Sequence, residues 1–146
     1  MKPAEDPIFS RTSALSGTEQ LADEILNHMS QRPILLMEGN LGTGKTTLAK
    51  ILLKKLGVQS DVTSPTFNIV NEYMIADGHK LYHFDLYRIR HVEELLEIGF
   101  FEYLESGAPC LIEWPEIAYE LIPDPALKLL ISYEADQRTY TLWNLN

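Results

Sequence analysis

The segment Gly39-Asn40-Leu41-Gly42-Thr43-Gly44-Lys45-Thr46 reads G-x-x-x-x-G-K-[ST] without a mismatch, and it constrains the fold more than any other stretch. The motif has meaning only between a strand and a helix, and both flanks are present. Before it, Ile34-Leu35-Leu36-Met37 is an unbroken apolar run, the pattern of a strand buried on both faces. After it, an amphipathic helix is predicted from Lys45 to Leu56, stopped by Gly57. Gly39 and Gly44 permit backbone angles that a Cβ would block, so successive N–H groups can curl around a phosphate. The helix directs its positive end at the same place. Lys45 adds a mobile charge for the β- and γ-phosphates, the Thr46 hydroxyl suits Mg²⁺, and Thr47 offers a contact to the α-phosphate.

The rest of the chain is compatible with the strand–helix alternation this motif demands. Its 146 residues suit one domain over 1–146, with the Pro-flanked acidic stretch 1–7 expected to be a flexible tail. Ile8 to Ser13 alternates weakly as a first strand, and Ser16-Gly17-Thr18-Glu19 fits a capping box opening a helix. Strands are predicted over Phe67–Ile75 and Lys80–Asp85, joined by the hairpin signal Ala76-Asp77-Gly78-His79. A helix interrupted at Gly99 is predicted over Val92–Glu105, and another apolar strand over Ala108–Glu113. Lys128–Tyr133 and Thr139–Leu145 read as a final strand pair. The expected class is α/β: a three-layer P-loop NTPase-type fold with a mainly parallel central sheet, helices on both faces and added antiparallel strands.

Charge and composition exclude several functions. Twelve Lys plus Arg stand against 21 Asp plus Glu, a net charge of −9. Such a surface repels naked nucleic acid, whose affinity for proteins comes from clustered cations. No apolar stretch approaches the ~18 residues of a membrane span, and the N-terminus has no apolar signal segment. The lone Cys110 and four scattered histidines give neither a disulfide nor a zinc spacing. A cytoplasmic location is the expectation.

A P-loop also needs an acidic partner for its metal. Two predicted strands end in a carboxylate: Cys110-Leu111-Ile112-Glu113 and Leu81-Tyr82-His83-Phe84-Asp85. Glu113 is favoured as the nearer Mg²⁺ ligand, with Asp85 acting through water, and strand alternation puts His83 on Asp85's face. Trp114 falls either on the nucleotide side or in the core. Ser64-Pro65-Thr66 has the make-up of a switch loop sensing the γ-phosphate or its metal. Arg88 is open to a salt bridge or a phosphate contact.

Taken together, Gly39 to Thr47, Ser64-Pro65-Thr66, His83-Phe84-Asp85-Leu86-Tyr87-Arg88 and Glu113-Trp114-Pro115-Glu116 resemble the bacterial TsaE (YjeE) family in order and spacing. The resemblance runs from about Ser16 to Tyr133. It implies an ATPase, using ATP and Mg²⁺, required for threonylcarbamoyladenosine formation beside the anticodon of tRNA. It further implies a monomer when free, working with the TsaD–TsaB protein assembly and meeting tRNA only through it. By the same resemblance Lys45 and Thr46 take phosphate and Mg²⁺, Glu113 takes Mg²⁺, and Asp85 and Thr66 support hydrolysis. Asn40, Leu41, Gly42, Thr43, Gly44, Thr47 and Trp114 line the nucleotide, and the strand around Ser13 and Ala14 edges the adenine. Two readings of the P-loop compete with this: a small-molecule kinase, which would need more arginines than Arg88 and Arg90 provide, and a nucleotide-gated interaction module. No Asn-Lys-x-Asp segment favours guanine.

Overall fold

A computed structural model describes residues 5–13, 17–63, 65, 68–134 and 136–145. Its centre is a seven-stranded sheet in the order β1-β7-β6-β2-β5-β4-β3. The strands are β1 (Phe9–Ser13), β2 (Ile34–Glu38), β3 (Val70–Met74), β4 (Lys80–Asp85), β5 (Cys110–Glu113), β6 (Ala126–Glu134) and β7 (Gln137–Leu145). Neighbours β6, β2, β5 and β4 run parallel, while β3 adds antiparallel at one edge and β7 and β1 at the other. This is the predicted architecture, a P-loop NTPase fold.

Strand alternation sorts the core into two layers. In β2, Leu35 and Met37 face the cluster built with α1 (Thr18–Met29) and α2 (Lys45–Lys55), whereas Ile34 and Leu36 face the opposite one. The second layer is formed by α3 (Val92–Glu97), α4 (Phe100–Glu105) and a 3₁₀ helix over Pro115–Leu121. Leu35, Leu36 and Met37 are all 0% exposed; burying each contributes about 2 kcal/mol, which is why the run needs cover on both sides. Gly99, at φ 77, is the break between α3 and α4 that the sequence marks. The hairpin of β3 and β4 closes through Gly78, whose φ is 86.

Three expectations are corrected. The N-cap of α1 is Gly17 without a side-chain cap, and Ser16 lies outside the described residues. Glu19, expected to reach back to that cap, instead pairs with Lys55 of α2 at 3.0 Å, because the amphipathic faces of α1 and α2 bring the two charges together. The strand expected from Phe67 begins at Val70, with Phe67 itself outside the described residues. The 3₁₀ helix after Trp114 has no counterpart in the sequence reading. Proline opens it and its few residues show no helical period. Among the described residues, no helix is long and apolar enough to cross a membrane.

Candidate functional site

Parallel strands place their C-terminal ends in one row, and α/β sheets build ligand sites there. Here the row is Gly39 just beyond β2, Glu113 at the end of β5 and Asp85 at the end of β4; Asp85 and Glu113 are register partners. Gly39 (φ 155) cannot carry a side chain, since a Cβ would lie 2.7 Å from the Ile131 carbonyl oxygen and from Thr43 Oγ1. Gly44 takes the left-handed conformation (φ 96) that turns the chain into α2 and is its N-cap, with no side chain capping the helix. The first-turn amides of α2 have no intrahelical acceptor, so they remain free for an anion. Thr43 stiffens the loop through a hydroxyl donated to the Asn40 carbonyl at 2.8 Å.

Leu41 to Thr47, with Asp85, Tyr87, Glu113 and Trp114, line a cleft of about 280 Å³. Asn40 lies outside it, lining the groove on the other flank of the loop. The Lys45 ammonium donates to the Gly39 carbonyl and, at 3.2 Å, to the Asn40 carbonyl, and stands 3.8 Å from the centre of the Trp114 ring. Burial lowers its pKa, while the nearby Glu113, Glu116 and Asp85 oppose that shift. Of the five buried polar or charged residues among those described, four are concentrated here: Thr43, Lys45, His83 and Glu113. Burying such groups is costly unless each has a partner, and most of these do.

Glu113 is the best-connected of them. The Thr46 hydroxyl donates to its Oε1 at 2.8 Å, and His83 Nε2 contacts its Oε2 at 2.6 Å. Asp85 is less enclosed: its Oδ1 accepts the Tyr87 amide at 3.0 Å. Desolvation raises the Asp85 pKa, the Tyr87 amide acts against it, and Glu113 adds to it. Trp114 adopts φ 55, ψ 57, a left-handed conformation that costs a non-glycine residue about 1–2 kcal/mol. Its ring is held over the loop by the Lys45 ammonium and by Tyr87, whose ring centroid is 4.8 Å away.

Most expected residues therefore meet at one place. Ser64, Thr66 and Ala14 lie outside the described residues, and Ser13 closes β1, whose neighbour is β7. Arg88 is exposed and does not line the cleft. Two participants escaped the sequence reading. Arg138 of β7 donates from Nε to the Thr43 carbonyl at 2.8 Å across 95 positions, a long-range contact that no local pattern announces. Tyr87 was legible only as part of the His83-to-Arg88 segment.

A glycine loop between a buried strand and a helix, with a strand-end carboxylate bonded to the loop's threonine, defines the chain as a P-loop NTPase-type protein. The family described as "Threonylcarbamoyl adenosine biosynthesis protein TsaE" matches residues 12–140. The tRNA threonylcarbamoyladenosine biosynthesis protein TsaE of Haemophilus influenzae is 38% identical over 131 residues, covering 89% of this chain and 82% of that protein. Its counterpart in Rickettsia conorii is 37% identical over 113 residues, covering 77% of this chain and 63% of that one. The crystal structure of Bacillus subtilis YdiB superposes with a TM-score of 0.71 at 29% identity, covering 94% of this chain and 86% of that one. The chain belongs to the TsaE family, and that family's place is tRNA threonylcarbamoyladenosine biosynthesis.

Proposed function

We propose that the protein is a Mg²⁺-dependent ATPase that supports threonylcarbamoyladenosine formation on tRNA together with the TsaD–TsaB assembly. The observation that carries this reading is the 2.8 Å bond between Thr46 Oγ1 and Glu113 Oε1, at the amino end of α2 and inside the loop's cleft. A hydroxyl and a carboxylate are hard oxygen donors, the set that suits Mg²⁺, which takes few protein ligands and completes its shell with phosphates and water. Bound there, Mg²⁺ supplies charge neutralisation at the phosphate oxygens.

The chain's own residues do the rest. The α2 amides and the loop hold the triphosphate, and the flexible stem of Lys45 carries its ammonium from the Gly39 and Asn40 carbonyls to the phosphates. Asp85, at the cleft wall, orients the attacking water. Arg138, the arginine at the loop, is engaged with the Thr43 carbonyl, and hydrolysis is slow alone and rises when partners dock. The net charge of −9 supports docking on protein rather than on bare tRNA.

The test is phosphate release from ATP and Mg²⁺ by the chain alone and with TsaD–TsaB, set against Lys45→Ala. Release without any acceptor, stimulated by the assembly and lost by at least about a hundredfold in the variant, is expected from the loss of a principal phosphate contact. Transfer to an acceptor, or wild-type turnover in Lys45→Ala, overturns the reading.

A further inference from the structure

We propose that His83 is a positioning residue for the cation site: its Nε2–H fixes one oxygen of Glu113 so that the other is presented beside Thr46. The inference rests on the reading of Glu113 as a Mg²⁺ ligand and adds to it the group that holds that ligand. His83 is 0% exposed and Glu113 1%. In the register of β4 against β5, Asp85 pairs with Glu113 and His83 with Leu111, so His83 lies one pleat behind, diagonal to Glu113 on the same face. The carboxylate thereby has its two oxygens assigned to different tasks. Oε2 takes His83 at 2.6 Å and Oε1 takes the Thr46 hydroxyl at 2.8 Å.

A carboxylate on a flexible two-carbon stem can rotate about its last bond, and a terminal torsion of this kind has a broad energy well. Tying one oxygen from below removes that freedom. Short hydrogen bonds to a charged acceptor are the strong ones, about twice a neutral pair.

The other ring nitrogen shows that His83 is not there for packing alone. Among the described residues, Nδ1 is buried without a hydrogen-bond partner. A buried orphan of this kind is costly to the fold. A phenylalanine of similar shape would avoid that cost but would strand Oε2 of Glu113. Among the described residues the imidazole therefore has one hydrogen-bonding partner, and that partner is the carboxylate facing Thr46. Groups that orient a metal ligand from behind typically change metal affinity by about 10–100-fold when removed.

The experiment measures, by calorimetry, the affinity for a non-hydrolysable ATP analogue with Mg²⁺ and with EDTA. The readout is the gain in affinity that Mg²⁺ confers. His83→Phe keeps the shape and deletes the donor; His83→Gln places an amide N–H near the Nε2 position; His83→Asn reaches only the Nδ1 position. The gain is expected to fall about tenfold or more in His83→Phe and His83→Asn, to survive in His83→Gln, and the affinity in EDTA to stay at the wild-type value. If His83→Phe does not fold, the contrast of Asn with Gln carries the same information. Equal losses in Gln, Asn and Phe, or a loss that appears equally in EDTA, would show that the ring only packs. Glu113→Gln serves as the reference. If it retains the Mg²⁺ gain, the cation reading itself is wrong; if it loses the gain while His83→Phe keeps it, only the role of His83 is.

Discussion

Asp85 and Glu113 end neighbouring parallel strands at the same register, yet their surroundings differ sharply. Glu113 is nearly inaccessible, with both oxygens engaged by side chains from other elements. Asp85 is half-buried, and one of its oxygens is held by a local backbone amide two residues ahead. Position along the strand thus sets which carboxylates reach the cleft, and the elements packed behind them set what each can do. A carboxylate clamped from two sides is suited to fixed coordination. One held by a single backbone amide among the described residues, at a cleft wall, is suited to handling a water molecule.

The sharpest way to break this comparison is Glu113→Ala. Metal-dependent hydrolysis is expected to fall by about a hundredfold or more, since a fixed ligand and its charge both vanish. Nucleotide binding in EDTA should change far less. The fold should also weaken, by about 1–3 kcal/mol, because His83 Nε2 is left buried without its acceptor. Phosphate-release rates over a Mg²⁺ series, with thermal melting in parallel, check both parts. Unchanged metal dependence would transfer the ligand role to Asp85.

Asp85→Asn should have a smaller effect on turnover, about tenfold, below the usual range of about 10²–10⁴-fold for a general base because the amide oxygen can still accept a hydrogen bond from water. Its pH behaviour separates it further from Glu113. Burial raises the Asp85 pKa above the ordinary carboxylate value. A raised pKa in the folded chain means that the native state holds its proton more tightly than the unfolded chain does. Its contribution to stability is therefore greatest below the ordinary carboxylate pKa and is lost as pH rises through the raised one. At neutral pH the ionised group is a small liability, reduced by its partial exposure. Asp85→Asn should accordingly melt at or slightly above the wild-type temperature while turning over more slowly. In the wild type, kcat should fall on the acidic side as Asp85 takes up its proton, and that limb should disappear in the variant. A lower melting temperature with an unchanged acid limb would refute the assignment.

How far all this could be read without coordinates depended on the range of each interaction. The strand, loop and helix around Gly39–Lys55 were legible because the motif, the apolar run and the helix period all lie within a few residues of one another. The break at Gly99 and the turn at Gly78 were legible for the same reason, since a left-handed residue leaves its mark in the local sequence. The strand-end carboxylates could be picked out, and alternation put His83 on Asp85's side. The bond of His83 to Glu113 spans 30 positions and depends on which strands become neighbours, which no single stretch specifies. Arg138 on the Thr43 carbonyl, at 95 positions, is a stronger case of the same kind. The short 3₁₀ helix after Trp114 left no period to find. The Ser16 cap was a competing local signal, and the pairing of α1 with α2 drew its acidic member to Lys55 instead.

The smallest effect concerns the aromatic residues that follow the two carboxylates. Trp114 succeeds Glu113 directly and Tyr87 comes two residues after Asp85, and their rings meet at 4.8 Å across the gap between the strands. Trp114 holds a left-handed backbone conformation, so something must stabilise it there. The Lys45 contact, the Tyr87 ring and the hydrophobic layer that Trp114 packs against are visible contributors. Tyr87 is 56% exposed, which places its ring pair at the low end of the usual 0.5–1.5 kcal/mol, about 0.5. Tyr87→Ala should then lower the melting temperature by only about 1–2 °C, in proportion to that loss in a chain of this size. Because the ring also lines the cleft, nucleotide affinity should drop by about two- to threefold, the same 0.5 kcal/mol expressed as binding. Intrinsic Trp fluorescence, already sensitive to what covers the indole, should shift in the variant and respond less to added nucleotide. A variant whose melting, affinity and fluorescence all match the wild type would show that Lys45 and the core layer beneath it secure Trp114 without Tyr87, and that the two strand ends are not joined through their aromatic neighbours.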